Sequence, residues 1–367
     1  MLGENLPVRF RLEELENSLS KFAIKSINTK GRDHQELKCD FRTDFQRDRD
    51  RIIHSKAFRR IKHKTQVFIA PRGDHYVTRL THTLEVAQIA RTISRALNLN
   101  EDLTEAIALG HDVGHTPFGH IGEDELGKLI PEGFRHNHQS VRIFERLEKE
   151  GKGLNLTWEV RHGILHHSKP RGDFLSNVKE NNLSLEAQVV RISDAVAYLN
   201  HDLADAVRAD VIKEQDLPAE VNEVLGTRHS ERINTMISDI VSNSWDCTGL
   251  IDVEETPIII MGDKVRNAVN VLREYMFQNV YIPEDNSEEG LIARKIIGLL
   301  FKHYNKNKNL IPNEYKLRSE TPEKGVVDYI AGMTDQYAIG IAENLAPGIA
   351  EVFSNRYLSF SDNNLIP

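Results

Sequence analysis

Residues 185–206 carry the cleanest periodic pattern in the chain. Leu185, Val189, Ile192, Val196, Leu199 and Leu203 follow one another at spacings of 4, 3, 4, 3 and 4. That spacing draws one apolar stripe down an α-helix and does not suit a strand, whose buried positions alternate. The same period recurs along most of the chain. Between His82 and Leu97 the residues Val86, Ile89, Ala90, Ile93 and Leu97 share one face. A second helix is expected from an N-cap at Thr104 through Val113, until Gly114 and Pro117 stop it. Further helices are expected over 139–150, 158–167, 218–226, 229–243, 262–280, 289–305 and 324–345, with loops at 151–156, 171–182, 283–288 and 305–323. Strand signals are confined to 67–70 and 258–261. The expectation is an all-α fold, with a helical bundle over 1–210 and a helical C-terminal region, 211–367, packed on it.

A length of 367 residues suffices for a large core without staples. No apolar run is long enough to span a bilayer, and the N-terminal stretch is charged throughout. Two cysteines, Cys39 and Cys247, make neither a disulfide framework nor a cysteine metal cluster. A cytoplasmic protein with no membrane partner is expected. The net charge of −8 argues against a surface built wholly for nucleic acid. Histidine is the unusual residue: 16 occur, nine of them between positions 82 and 167.

The segment Gly110–His120, GHDVGHTPFGH, holds the densest chemistry. His111 shares the inward face of Ile107, Asp112 points to the flank, and two glycines with a proline hold His115 and His120 on a turn. Imidazole and carboxylate together suit zinc, manganese and iron, and carboxylates also suit magnesium. Satisfied core polar groups are the alternative, at the cost of burying so many without a shared partner. His82 lies on the inward stripe of its helix, where a hydrogen-bonded core histidine is the plain reading. On the helix 185–206, Asp194, Tyr198 and Asp202 sit at i, i+4 and i+8 with His201 and Asp205 beside them, either as a solvated face or as a functional stripe. His82, His111, Asp112 and Asp194 together make a two-histidine, two-carboxylate set on three helices. Such a set suits one divalent ion (Mg, Mn, or Fe, Ni or Zn) with coordination positions left open for water and substrate.

Arg79, three residues before His82, projects near that set as a phosphate fork, or else forms a surface salt bridge. Segment 47–64 holds eight Lys/Arg against two Asp. It reads as a charge-paired helix face, as a triphosphate site for substrate or effector, or as a nucleic-acid contact. Aromatic residues are sparse there, so binding to single strands would be weak. His162, His166 and His167 read as structural or supporting groups rather than a second site.

The order His82, His111–Asp112, Asp194 resembles the metal signature of HD-domain phosphohydrolases. Residues 46–68, 78–93, 108–123, 136–140, 191–202 and 328–338 resemble, in order, the bacterial deoxyguanosinetriphosphate triphosphohydrolase-like family. The stretches around 210–320 add little, so the activity is expected to rest on the N-terminal half. The resemblance implies an HD-type helical bundle that releases intact triphosphate from a deoxynucleoside triphosphate. It also implies that His115 and His136 contact phosphates. His120 is the candidate acid for the leaving 5′-oxygen, with Glu123 orienting it. Gln66, Tyr198 and Asp202 resemble positions that hold the deoxyribose, with Tyr198 excluding a 2′-hydroxyl and Asp202 accepting from the 3′-hydroxyl. A ring-like homo-oligomer, commonly a hexamer, and a dNTP effector are implied too. The competing readings are another HD phosphohydrolase, a nucleoside monophosphate phosphatase or phosphodiesterase, and a non-catalytic nucleotide- or nucleic-acid-binding protein of the same fold. The lysine usual in HDxGK of dinuclear members is His115 here, which points away from them. A non-catalytic relative should show an eroded ligand set, and this one is intact.

Overall fold

The computed structural model describes residues 8–69, 76–168 and 182–353, so the bulk of the loop expected at 171–182 lies outside it. In chain order the first helices are α1 (Val8–Leu15), α2 (Asp44–Ile53), α3 (Lys56–Arg60), α4 (Arg79–Ala96), α5 (Glu101–Gly110), α6 (Gly119–Leu129), α7 (His136–Arg142), α8 (Trp158–His166) and α9 (Leu185–Arg208). Then come α10 (Ala219–Leu225), α11 (His229–Asn243), α12 (Asp263–Met276), α13 (Ile282–Asp285), α14 (Glu288–Lys306), α15 (Asn313–Arg318), α16 (Pro322–Ala331) and α17 (Asp335–Leu345). The fold is all-α. Among the described residues there is no strand, only an isolated bridge between Thr65 and Thr78. Neither expected strand forms, and Ala70 lies outside the described residues. Residues 258–261 run extended without a partner strand because side chains satisfy their backbone. Gln188 Oε1 accepts from Ile259 N at 2.9 Å, and Ser244 Oγ serves both polar atoms of Ile260.

Caps set the helix starts. The Thr78 side chain accepts from Thr81 N, so α4 opens at Arg79 and carries Arg79 and His82 in one turn. The N-cap of α5 is Asn100, whose side chain accepts from Asp102 N and Leu103 N. Thr104, expected as the cap, lies inside the helix, fully buried, with its hydroxyl on Asn100 O. The apolar pattern alone does not distinguish two capping residues four positions apart. Residues 324–345, expected as one helix, break after Ala331 because Thr334 caps a new one by accepting from Tyr337 N. Helices α1 and α6 were not expected, α2 and α3 fall largely in segment 47–64, read as a possible helix face, and α13 and α15 occupy parts of predicted loops.

Helix α5 is central: it packs on α2, α4, α8 and α9, and α4 and α9 also pack on each other. Their apolar faces form one core that runs on through Met276 and Val280 of the C-terminal half. A second core joins Phe118, Ile121 and Leu126 to the inner faces of α14, α16 and α17. Helix α6 thus lies between the C-terminal core and the interior of the bundle. No helix among the described residues is long and apolar enough to cross a membrane.

Glu186 ties the bundle to the segment after α1. Its Oε1 accepts from Ile24 N at 3.0 Å and Asn100 N at 3.3 Å, within a fully buried setting. Burial pushes this carboxyl up to about 7. In the unfolded chain the group loses its proton near the ordinary glutamate value of about 4.3. Between those pH values the unfolded state binds fewer protons, so stability falls as pH rises and levels off above about pH 7. Glu186→Gln keeps an acceptor and removes the titration. Urea unfolding at about pH 5 and pH 8 should show a pH-dependent difference between wild type and variant, up to about 3 kcal/mol; identical slopes would refute it.

Candidate metal centre and active site

Four elements deliver ionisable side chains to one buried carboxylate, that of Asp112 in the turn after α5. Its Oδ1 lies 3.3 Å from His111 Nε2, 3.4 Å from His115 Nε2, and 3.7 Å from both His136 Nε2 and His167 Nε2. Its Oδ2 takes Arg79 Nη1 at 2.5 Å and stands 3.7 Å from His82 Nε2. Asp194 Oδ1 is 3.4 Å from the same His82 nitrogen. Helix α4 and the end of α5 therefore bring His82, His111 and Asp112 together, and α9 adds Asp194 beside His82.

The hydrogen bonds behind these rings fix what they present. His111 Nδ1 is 2.6 Å from Ala108 O, an atom that only accepts, so the proton sits on Nδ1. His111 Nε2 is then a lone pair, buried without a hydrogen-bond partner and facing a carboxylate oxygen. Two facing lone pairs are reconciled by a cation, so the donor set fits a divalent ion held by His82, His111, Asp112 and Asp194. His82 is backed in the same way. Its Nδ1 lies 2.8 Å from His201 Nε2, and His201 Nδ1 lies 2.8 Å from Asp202 Oδ1, close though poorly aligned. A carboxylate–histidine chain of this kind turns the outer nitrogen of the leading ring into a ligand. Burial pushes His82 down to about 4, leaving it neutral as a ligand must be. Burial would raise the Asp112 carboxyl, but His111, His115 and Arg79 outweigh it and hold the group well below the ordinary range.

The second cluster hangs from α6. Phe118 has φ 62° and Gly119 φ 56°, a left-handed reversal that costs a non-glycine residue roughly 1–2 kcal/mol. Asp335 at the start of α17 holds it, accepting from Phe118 N at 3.0 Å and, through its other oxygen, from Thr65 N at 2.8 Å. His120, expected on a turn, thereby sits with Glu123 in the first turns of a helix. Glu123 accepts from His136 N at 2.8 Å, His136 Nδ1 at 2.9 Å and His120 Nδ1 at 3.1 Å. Burial works against its charge, but His136 and these bonds hold the carboxyl far below its usual range. In return, Glu123 overcomes the burial of His136 and raises it. Burial, Arg79 and His136 drive His115 well below the ordinary value. The rings of His115 and His136 stack at 3.9 Å. His120, with its side chain 72% exposed, stands at the mouth.

The other expected residues fall out as follows. Arg79 is buried and paired to Asp112, so it makes no surface salt bridge. Gln66 follows Thr65, whose carbonyl accepts from Arg79 Nη2 at 3.1 Å. The stripe on α9 is not a solvated face: from Leu185 to Leu203 only Asp194 and Tyr198 are more than marginally exposed. Asp202 lies deeper and accepts from Tyr281 Oη at 2.8 Å. In segment 47–64, Arg47, Arg49 and Arg51 are paired with acids, and buried Lys64 grips Ala331 O and His115 O. Lys56, Arg59 and Lys62 remain exposed.

His167 was expected, with His162 and His166, as a structural or supporting group. His162 stacks on Trp158, away from the centre, whereas His167 is buried beside His136 and Asp112. The signal was there: Val160, Gly163, Ile164 and His167 share the buried face of α8.

Helix α7 reaches the site only because Gly114 lacks a side chain. A Cβ there would stand 2.2 Å from His136 O and 2.3 Å from Ser140 N. Gly114→Ala should displace α7, lower stability by about 2–3 kcal/mol and weaken divalent-ion binding. Thermal melts with calorimetric metal titration check this; a variant with unchanged melting temperature and affinity would contradict it.

The HD domain model matches residues 79–199, and the phosphohydrolase-associated domain model matches residues 259–344. A deoxyguanosinetriphosphate triphosphohydrolase-like protein from Caldanaerobacter subterraneus subsp. tengcongensis is 53% identical over 91% of this chain and 94% of its own. Proteins of the same description from Clostridium tetani and Desulfatibacillum aliphaticivorans are each 47% identical, over 93% and 91% of this chain and 97% and 96% of theirs. The chain belongs to the deoxyguanosinetriphosphate triphosphohydrolase-like family of HD-domain proteins.

Proposed function

We propose that this HD-family phosphohydrolase cleaves deoxynucleoside triphosphates to deoxynucleoside and inorganic triphosphate. One observation carries the reading: the buried His111 lone pair facing Asp112 suits a cation, and an exposed, Glu123-bound histidine stands near it. Held by His82, His111, Asp112 and Asp194, a divalent ion supplies Lewis acidity toward the α-phosphate and lowers the pKa of water at the site. Imidazole with carboxylate favours manganese, iron, nickel or zinc, with magnesium as the hard alternative.

The protein's own groups divide the remaining work. Arg79, His115 and His136 line the depth where the phosphates lie. His120 passes a proton to the leaving 5′-oxygen, and Glu123 sets the orientation of its ring. Tyr198 packs under the sugar, opposing a 2′-hydroxyl, with Gln66 across from it. Asp202 already accepts from Tyr281, so a 3′-hydroxyl reads the two together. Lys56, Arg59 and Arg60 line a separate cavity of about 330 Å³ with Lys149 and Arg318, a mixed-charge site that also holds Glu148, Glu150, Glu314 and Asp328 and is the candidate for an effector triphosphate.

Incubation with dGTP and Mn²⁺, followed by anion-exchange separation, should yield triphosphate. Pyrophosphate or orthophosphate as first product would favour the phosphatase or phosphodiesterase alternative. Asp112→Asn should fold and lose both the ion and turnover; full metal occupancy by elemental analysis would remove Asp112 from the ligand set. His120→Asn should keep the ion and nucleotide affinity but lose on the order of 10²–10⁴ in kcat. A near-normal kcat would transfer the acid role to His136, the other histidine bonded to Glu123.

A further inference from the structure

Two imidazoles that the proposed reaction does not use stand on the outer face of α8. His162 and His166 lie one turn apart, both half-buried, with ring centroids 4.6 Å apart and ring planes tilted by 54°. Histidines at i and i+4 project from one face of a helix, the spacing with which helical zinc sites take two ligands from a single element. The distance between the rings fits such a chelate. With metal–nitrogen bonds of about 2.0–2.1 Å, an ion lies about 3.2 Å from each ring centroid, so adjacent ligand rings have centroids about 4.5 Å apart in octahedral and about 5.2 Å apart in tetrahedral geometry. Among the described residues neither ring has a hydrogen-bond or ion-pair partner. Burial, His166 and Lys30 push His162 down to about 4, and burial with the charges of His138 and Arg191 lowers His166. Both rings are therefore neutral near neutral pH, as ligands must be.

We propose that His162 and His166 hold a transition-metal ion on the outer face of α8, with water in its remaining positions. The site goes beyond the proposed hydrolysis and shares no ligand with the centre at Asp112. Neither ring is paired with a carboxylate, and Lys30 and Arg191 add positive charge nearby. Such a donor set selects Cu²⁺, Ni²⁺ or Zn²⁺, which bind imidazole firmly, over Mg²⁺, Ca²⁺ and Mn²⁺. The ion clamps the last turn of α8. That turn carries Ile164 O, which accepts from His167 Nδ1 at 2.7 Å and so sets the ring whose Nε2 lies 3.7 Å from Asp112 Oδ1. The outer site thus reaches the centre through one turn of helix. The competing reading is an aromatic column that packs without an ion. Lys30 Nζ stands 3.4 Å from the Trp158 ring centroid, Trp158 stacks on His162 at 4.3 Å, and His162 meets His166.

The column supplies its own reporter. Trp158 and Trp245 are the two tryptophans of the chain, so Trp245→Phe leaves one indole, stacked on a proposed ligand. The full-length Trp245→Phe protein, kept in excess Mn²⁺, is titrated with Ni²⁺ or Cu²⁺ while indole fluorescence is followed. A paramagnetic ion held by His162 and His166 should quench most of the Trp158 emission in a saturable titration. His166→Ala removes one ligand and keeps the Trp158–His162 stack. It should raise the midpoint by about tenfold or more, at least the loss seen when a hydrogen-bond partner of a metal ligand is removed. His162→Ala, which removes the other ligand, should do the same. Both side chains are half-exposed, so neither truncation should unfold the chain. Ion exchange at the Asp112 centre is common to all these proteins and cancels in the comparison. Equal midpoints with and without His166, or no saturable quenching in its presence, overturns the proposal and leaves the column as packing alone. The readout is independent of turnover.

Discussion

A charged carboxylate buried among imidazoles is the constraint on which this structure turns. Removing Asp112 from water without compensation costs several kcal/mol, and a single buried partner seldom restores it. Here Arg79 takes one oxygen and four ring nitrogens surround the other. Each ring arrives from a different place: the end of α5, the reversal before α6, α7, and the residue after α8. The packing of α5 at the centre of the bundle is therefore what assembles the chemistry. Small displacements matter because α7 touches the turn at Gly114 backbone to backbone.

The C-terminal helices belong to the same constraint. Asp335 of α17 fastens Thr65 and the Phe118 reversal, and so fixes both the approach to Arg79 and the start of α6. Asp328 of α16 accepts from Gln139 Nε2 and from Arg142, holding α7 from the far side. Tyr281, just before α13, closes the chain that runs through Asp202 and His201 to His82. The expectation that residues 210–320 contribute little to the activity therefore overlooked Tyr281. A lone tyrosine in an unpatterned stretch carries no mark of its partner 79 residues away.

Legibility in the sequence followed the range of the interaction. The stripe of α9 was plain because burial imposes the 3.6 period over many residues. The proposed ligand quartet could be picked out because its members lie on, or at the end of, well-patterned helices. Helix α6 was obscure: glycines at 119, 122 and 127 weaken its propensity, and it is held by Ile121 and Leu126 packing on α14, which local sequence cannot show. His167 was obscured by its neighbour, since a histidine pair hides which ring faces inward until α8 is phased by its apolar residues. The basic run of 47–64 mixed two kinds of charge. Arginines of α2 answer nearby acids, whereas Lys64 is buried and pushed down to about 7 by burial. Composition cannot separate the two.

Depth orders the histidines by task. At the bottom, burial keeps His82 and His167 neutral, the state that the proposed ligand role of His82 requires. Midway, Glu123 keeps its charge against burial and biases His136 toward holding a proton on the side it faces. His120 shares that same carboxylate but stays open to solvent, where a proton given up in the proposed role would be replaced quickly. An acid buried beside the cation would be slow to recharge, and a ligand at the mouth would protonate in competition with the metal. On the proposed reading, the separation of the two roles by a single carboxylate, that of Glu123, would let one site bind a cation and deliver a proton at the same pH.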